Sequence, residues 1–172
     1  MESTQTNIQF SAELVQKAQM AMQKYPEGKH QSAILEILHD VQDEFGWMPV
    51  PAMDAVARML SIEPIEVYEI ASFYTMFHLA PVGKYVLEVC RTGPCALKGA
   101  DELVEYLETK LGIEVGQTTT DKKFTIKTVE CLAACGGAPC LQVKLKDAQG
   151  DYRYYENLDN NSVDRLIAEE WI

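Results

Sequence analysis

The stretch "KYVLEVCRTGPC", residues 84–95, holds an abrupt change of pattern. Its first half is rich in β-branched and aromatic residues, which suit a pleated strand, and it runs straight into Cys90. Arg91, Thr92, Gly93 and Pro94 follow, a set that turns the chain, and then comes a second cysteine, Cys95. A strand that delivers one thiol at its end and another after a turn suits a disulfide, a redox dithiol, a zinc clamp or half of an iron–sulfur site. The spacing of this one pair does not choose between them.

A second pair supplies a partner for the first. "FTIKTVE" (124–130) alternates as a strand and ends at Cys131. "CLAACGGAPC" (131–140) is a Gly/Ala/Pro loop that carries Cys135 and closes on Cys140. Neighbouring strands of a sheet lie about 5 Å apart. If the two strands pair in parallel, both loops leave from one edge, and Cys90, Cys95, Cys131 and Cys135 converge into a four-thiolate site. Soft thiolates select zinc or an iron–sulfur cluster.

Gly93, Gly136 and Gly137 beside these cysteines allow backbone N–H groups to turn toward sulfur. Such donors favour the reduced, more negative form of a cluster. Cys95 is expected to open a helix whose positive end faces the site, with Arg91 and Lys98 adding charge. These details lean toward a cluster and leave zinc open. Cys140 reads as a small apolar residue at a strand entrance, buried and inert, with a fifth, exchangeable ligand as the alternative. His30, His39 and His78 lie in the helical half of the chain, away from the cysteine loops, so an all-cysteine site is expected.

Around this centre the chain has two textures. Residues 1–80 read as a helical bundle. Ser11 caps a helix with Val15, Ala18 and Met22 inward, and "YPEGK" (25–29) breaks it. Ser32 caps a second helix with Ile34, Ile37, Leu38, Val41 and Phe45 on one stripe, ended by Gly46. A third helix follows Pro51, with Met53, Val56, Met59 and Leu60 inward. A fourth starts at Pro64 and carries Ile65, Val67 and Ile70. "HLAPVGK" (78–84) links this bundle to residues 81–172, the domain that bears the cysteines. There a helix is expected from Ala96 to Leu111, with Leu97, Leu103, Val104, Leu107 and Leu111 inward. "GQTTTDKK" (116–123) is a polar loop. "LQVKLK" (141–146) and "YRYYEN" (152–157) form a hairpin around "DAQGD", and Asp159 or Asn160 caps a last helix over Val163, Leu166 and Ile167. The fold class is therefore α+β: an N-terminal helical bundle followed by a thioredoxin-like α/β domain.

Composition narrows the function. Of 172 residues, 47% are apolar and 24% charged, an ordinary globular balance. The net charge of −11 argues against nucleic-acid binding, which needs clustered Lys and Arg. No run of about 18 apolar residues is present, so direct membrane insertion is not expected. "MESTQTNIQF" lacks the layout of a secretory signal, so a cytoplasmic setting, or the cytoplasmic face of the inner membrane, is expected. Five cysteines, an odd number, do not suit a closed disulfide framework. No G-x-G-x-x-G, P-loop or G-x-S-x-G motif occurs, so no nucleotide site or nucleophile is read in this chain. Catalytic residues are not expected, and electron donor and acceptor must come from partners.

Several segments together resemble a known family. "VQDEFGWMP" (41–49), "ASFYTMF" (71–77), "PVGKY" (81–85), "CRTGPCALKGA" (90–100) and "TTDKKFTIKTVECLAACGGAP" (119–139) look like the NuoE-type [2Fe–2S] subunit of respiratory complex I (NADH:quinone oxidoreductase). That family includes diaphorase subunits of NAD-linked hydrogenases and formate dehydrogenases. The resemblance implies a thioredoxin-like ferredoxin domain with one [2Fe–2S] cluster on Cys90, Cys95, Cys131 and Cys135. It also implies a partner flavoprotein subunit that binds FMN and NADH, within a larger oxidoreductase complex that uses quinone. The chain departs from the family at Ala133, where the motif C-L-G-A-C has glycine, and at Cys140, where an apolar residue is common. Two rival functions are a zinc-stapled interaction module and a thiol–disulfide enzyme. The second usually needs the closer C-x-x-C spacing.

Overall fold

The computed structural model describes residues 8–145 and 152–171. The chain divides into two compact units, Met1–Pro81 and Val82–Ile172.

The first unit is helical. Helix α1 (Ala12–Met22) begins at Ser11, whose hydroxyl accepts the Leu14 N–H. Its buried face is Leu14, Ala18 and Ala21, one position off the expected stripe at both ends. Helix α2 (Ile34–Phe45) is not capped by Ser32, contrary to expectation. Ser32 instead lies in a 3₁₀ turn, His30–Ala33, that runs into the helix without a break. Gly46 ends α2 with φ of 76°, a left-handed conformation that costs glycine little. Helix α3 (Val50–Leu60) starts just before Pro51 rather than after it, because a proline is tolerated in the first turn. Helix α4 (Pro64–Phe73) starts at its proline as expected, with Glu63 and Glu66 forming a capping box.

One apolar core joins these helices, with Ile37, Leu38, Val41, Val56 and Val67 fully buried. Gln42 crosses this core as a polar tie. Its amide donates to the Met76 carbonyl at 2.9 Å and accepts the His78 N–H at 2.6 Å. Ile65, expected inward, is 57% exposed, since the inward face of α4 is set by Val67 and Ala71.

The second unit is a four-stranded mixed sheet in the order β2-β1-β3-β4. Strand β1 (Tyr85–Cys90) is central and buried along its whole length. It pairs in parallel with β2 (Phe124–Val129), with Tyr85 opposite Phe124 and Cys90 opposite Val129. On its other side it pairs antiparallel with β3 (Leu141–Leu145), which pairs antiparallel with β4 (Tyr152–Tyr155). The "DAQGD" turn expected between β3 and β4 lies outside the described residues.

The crossover from β1 to β2 departs from the expected single helix. A four-residue helix α5 (Pro94–Leu97) stops at Lys98 and Gly99, and α6 (Ala100–Leu111) starts anew. Gly99 has φ of 91°, which breaks the helical path. Leu97 is consequently 89% exposed, not inward, whereas Leu103, Val104 and Leu107 pack against the sheet. Helix α7 (Asn160–Arg165) is capped by Asp159 and continues as a π turn to Glu170. Trp171 then buries its ring against Phe124 and Tyr155, at centroid distances of 6.3 and 5.5 Å. These layers agree with the α+β, thioredoxin-like expectation.

Candidate metal centre

Each cysteine is placed by a different local cause. Cys90 is the last residue of β1, and its N–H donates to the Cys140 carbonyl at 3.1 Å, so the ladder to the third strand holds it. Beyond it the chain turns at Gly93, with φ of 41°, and Pro94 starts α5, which carries Cys95. Cys95 N–H donates to the Thr92 carbonyl at 3.0 Å, fastening the turn. Strand β2 ends at Val129, two positions before Cys131, and Cys135 opens a 3₁₀ turn, Cys135–Gly137. Because β1 and β2 are parallel neighbours, both cysteine loops leave the same end of the sheet.

The loops differ in burial. Cys90, Cys95 and Cys140 are buried, at 3%, 1% and 0% exposure, while Cys131 and Cys135 are exposed. Ala100, Leu132, Ala134 and Ala138 wall the buried sulfurs. The Cys95 and Cys140 Sγ atoms lie 3.7 Å apart, and the sulfurs of Cys90, Cys95 and Cys140 are all within 4.8 Å of one another. Cys140 is thus buried, as its sequence context suggests. Its contact with Cys95 had no local signal, because it arises from the antiparallel pairing of β1 with β3.

Backbone donors converge on sulfur. Burial works to raise the Cys90 thiol, but N–H groups of Thr92 and Leu132 and the Thr92 hydroxyl outweigh it and bring the pKa to about 7. Ala133 N–H donates to Cys131 Sγ at 3.3 Å. Burial pushes the Cys95 thiol up and Cys140 up to about 12. Cys135 is pushed up by desolvation and then by the sulfurs of Cys131, Cys95 and Cys90, so it feels both loops. The donating N–H groups belong to Thr92, Leu132, Ala133 and, toward Cys95, Cys140, not to the glycines the sequence singled out. Gly137 has a packing role instead, since a Cβ there would collide with the Glu156 side chain.

The charges expected around the site are arranged differently. Arg91 pairs with Asp101 at 3.2 Å, so its positive charge is offset by the first turn of α6. The four residues of α5 are too few to build the helix dipole expected to face the site. His30, His39 and His78 all fall in the first unit, whereas all five cysteines fall in the second. Thiols on two adjacent loops, with N–H donors aimed at Cys90 and Cys131 and an apolar wall around Cys90 and Cys95, fit the chemistry of an iron–sulfur group, although Cys131 and Cys135 lie outside the close sulfur group.

Residues 18–170 match the model of the thioredoxin-like [2Fe-2S] ferredoxin family, and the chain belongs to that family. Among its relatives is the E subunit of the NADH-quinone oxidoreductase of Rickettsia conorii, 41% identical over 97% of this chain and 96% of that protein. The counterpart from Rickettsia felis is 42% identical over 95% of each chain. NADH dehydrogenase [ubiquinone] flavoprotein 2, mitochondrial, of Dictyostelium discoideum is 39% identical over 95% of this chain and 64% of that one. Among solved structures, an air-oxidized NAD+-reducing [NiFe]-hydrogenase aligns with a TM-score of 0.66 and 24% identity. It covers 79% of this chain and 22% of the hydrogenase chain, a likeness of fold. Among the described residues, no helix is long and apolar enough to cross a membrane.

Proposed function

We propose that this chain is the electron-transfer subunit of an NADH dehydrogenase module, an NADH:quinone oxidoreductase, and that Cys90, Cys95, Cys131 and Cys135 hold one [2Fe–2S] cluster. The observation that carries the reading is the exit of both cysteine loops from the same end of the paired strands β1 and β2. The identity of 41% to the Rickettsia conorii oxidoreductase chain, over nearly the whole length of both, supports the oxidoreductase setting.

Such a cluster, when bound, supplies a one-electron redox couple. The chain's own residues do the rest. The N–H groups of Thr92, Leu132 and Ala133 stabilise negative charge on sulfur. Ala100, Leu132, Ala134 and Ala138 keep water from the buried thiolates. The exposed loop bearing Cys131 and Cys135 is the side open to a partner. Electrons pass singly between this chain and FMN in a flavoprotein partner that also binds NADH, and no substrate bond is made or broken here.

A second surface suits docking in the larger complex. Phe73 and Tyr74 are 77% and 38% exposed and pack edge to face, beside a groove of about 440 Å³ lined also by Glu69, Ile70 and Ser72. Exposed aromatic pairs are favoured anchors at interfaces. The working location is the cytoplasm, or the cytoplasmic face of the inner membrane in a peripheral arm.

Anaerobic, iron-replete co-expression with a flavoprotein subunit tests the reading. The expected product is a brown complex with a paramagnetic signal after one-electron reduction. A colourless, silent protein under those conditions rejects it in favour of a zinc-stapled module.

A further inference from the structure

The buried sulfurs do not coincide with the four cysteines assigned to the cluster. They are Cys90, Cys95 and Cys140, and all three lie within 4.8 Å of one another. Two thiolates on one tetrahedral zinc, with bonds of about 2.3 Å, stand roughly 3.8 Å apart. The Cys95 and Cys140 sulfurs are 3.7 Å apart, one thiol donating to the other. A thiol–thiol contact of that length already matches the sulfur–sulfur edge of a single-ion site, so an ion would enter with little movement of these two donors.

We propose that, in the cluster-free chain, Cys90, Cys95 and Cys140 form a buried three-thiolate site for one thiophilic divalent cation of the zinc class. Three elements fix the donors before any ion arrives. Cys90 ends β1, Cys95 sits in α5, and Cys140 precedes β3 in the sequence. The Cys90 N–H to Cys140 carbonyl bond clamps two of these three backbones together. The apolar wall of Ala100, Leu132, Ala134 and Ala138 suits soft, charge-neutralising thiolate binding and offers no competing oxygen ligands from those side chains. Binding exchanges thiol protons for metal–sulfur bonds, with no change of oxidation state.

The site shares Cys90 and Cys95 with the cluster proposed above, so ion and cluster exclude each other. Cys140 is therefore a residue of the cluster-free state, which its inert appearance in the sequence conceals.

Co²⁺, an optical stand-in for zinc, tests this on the reduced, metal-free full chain. In the double variant Cys131→Ser/Cys135→Ser, the sulfur-to-cobalt charge-transfer absorption should persist. Adding Cys140→Ala or the apolar, larger Cys140→Val to that background should weaken Co²⁺ binding by more than about 100-fold, beyond the roughly 10–100-fold range of outer-contact losses. Far-UV circular dichroism checks that at least one of the two variants keeps the fold. Loss of Co²⁺ binding in the double variant alone, or unchanged binding after replacement of Cys140 in a folded variant, overturns the proposal. Because no iron is present, either failure leaves the cluster reading standing, and failure of the cluster reading does not touch this one.

Discussion

The two cysteine loops leave the same end of the sheet, yet they are built by opposite means. The loop from Cys90 to Cys95 is an extension of the core: its sulfurs are buried, its first residue is held in a strand ladder, and its second lies in a helical turn. The loop from Cys131 to Cys135 is a surface path whose sulfurs are exposed, shaped by local hydrogen bonds and by Ala133 in a left-handed conformation. The contrast teaches that one loop doubles as folding structure, while the other stands clear of the core.

The contrast depends on the β1–β2 register, and the register can be attacked far from the sulfurs. Gly83 precedes β1, and its N–H donates to Thr125 Oγ1 at 2.7 Å. A Cβ on Gly83 would stand 2.8 Å from backbone atoms of Lys123 and Phe124, which have no flexible side chain to yield. Gly83→Ala is expected to cost roughly 2–4 kcal/mol and to lower cluster occupancy, both loops losing their common base. Urea unfolding of the full chain measures the first, iron content the second. A cost below about 1 kcal/mol would mean that the strands do not approach as closely as described.

Next in size is a direct test of the two loops against each other. Cys95→Ala removes a buried sulfur and should destabilise the metal-free chain by about 1–2 kcal/mol. Cys131→Ala removes an exposed one and should stay within about 0.5 kcal/mol of the parent. Both should lose the visible absorption of the reconstituted protein. Equal destabilisation would abolish the distinction between the structural and the exposed loop.

Cys140→Ala sharpens the boundary further. A cost of about 1 kcal/mol is expected in the metal-free chain from the lost sulfur. The reconstituted protein should keep its absorption and its paramagnetic spectrum nearly unchanged. Bleaching by this variant would move Cys140 into the cluster's ligand set.

The sequence made the first loop's role only half legible. "KYVLEV" announced a strand and Cys90 its end, and Asp159 announced its cap, because those signals are local. Leu97 misled because it fits the helical stripe of α6, while the Lys98-Gly99 break that turns it outward depends on a backbone angle, not on hydrophobicity. Ser32 misled because a 3₁₀ turn can run unbroken into a helix and remove the need for a cap. Convergence of the two loops was legible only conditionally, since it needed a parallel pairing between strands more than 30 residues apart. The Cys95–Cys140 contact needs a second non-local pairing, through β3, and no spacing in the sequence points to it.

The finest probe of the surface loop is a single methyl group. Ala133 has φ of 60°, a region where an L-residue with a Cβ is strained by about 1–2 kcal/mol. Glycine relieves that strain but brings extra chain entropy worth roughly 0.5–1 kcal/mol to the unfolded state. Ala133→Gly should therefore stabilise the chain by about 0.5 kcal/mol, the small difference of two opposed terms. The Ala133 N–H that donates to Cys131 Sγ is kept in that variant, so the cluster spectrum should not move. Ala133→Val keeps the same N–H and adds β-branching where φ is positive, so it should lose about 1 kcal/mol or more. Opposite signs for the two substitutions, read by urea unfolding, would show that backbone conformation sets this loop. Equal signs would show that side-chain contact sets it instead, and the surface loop would then resemble its buried neighbour.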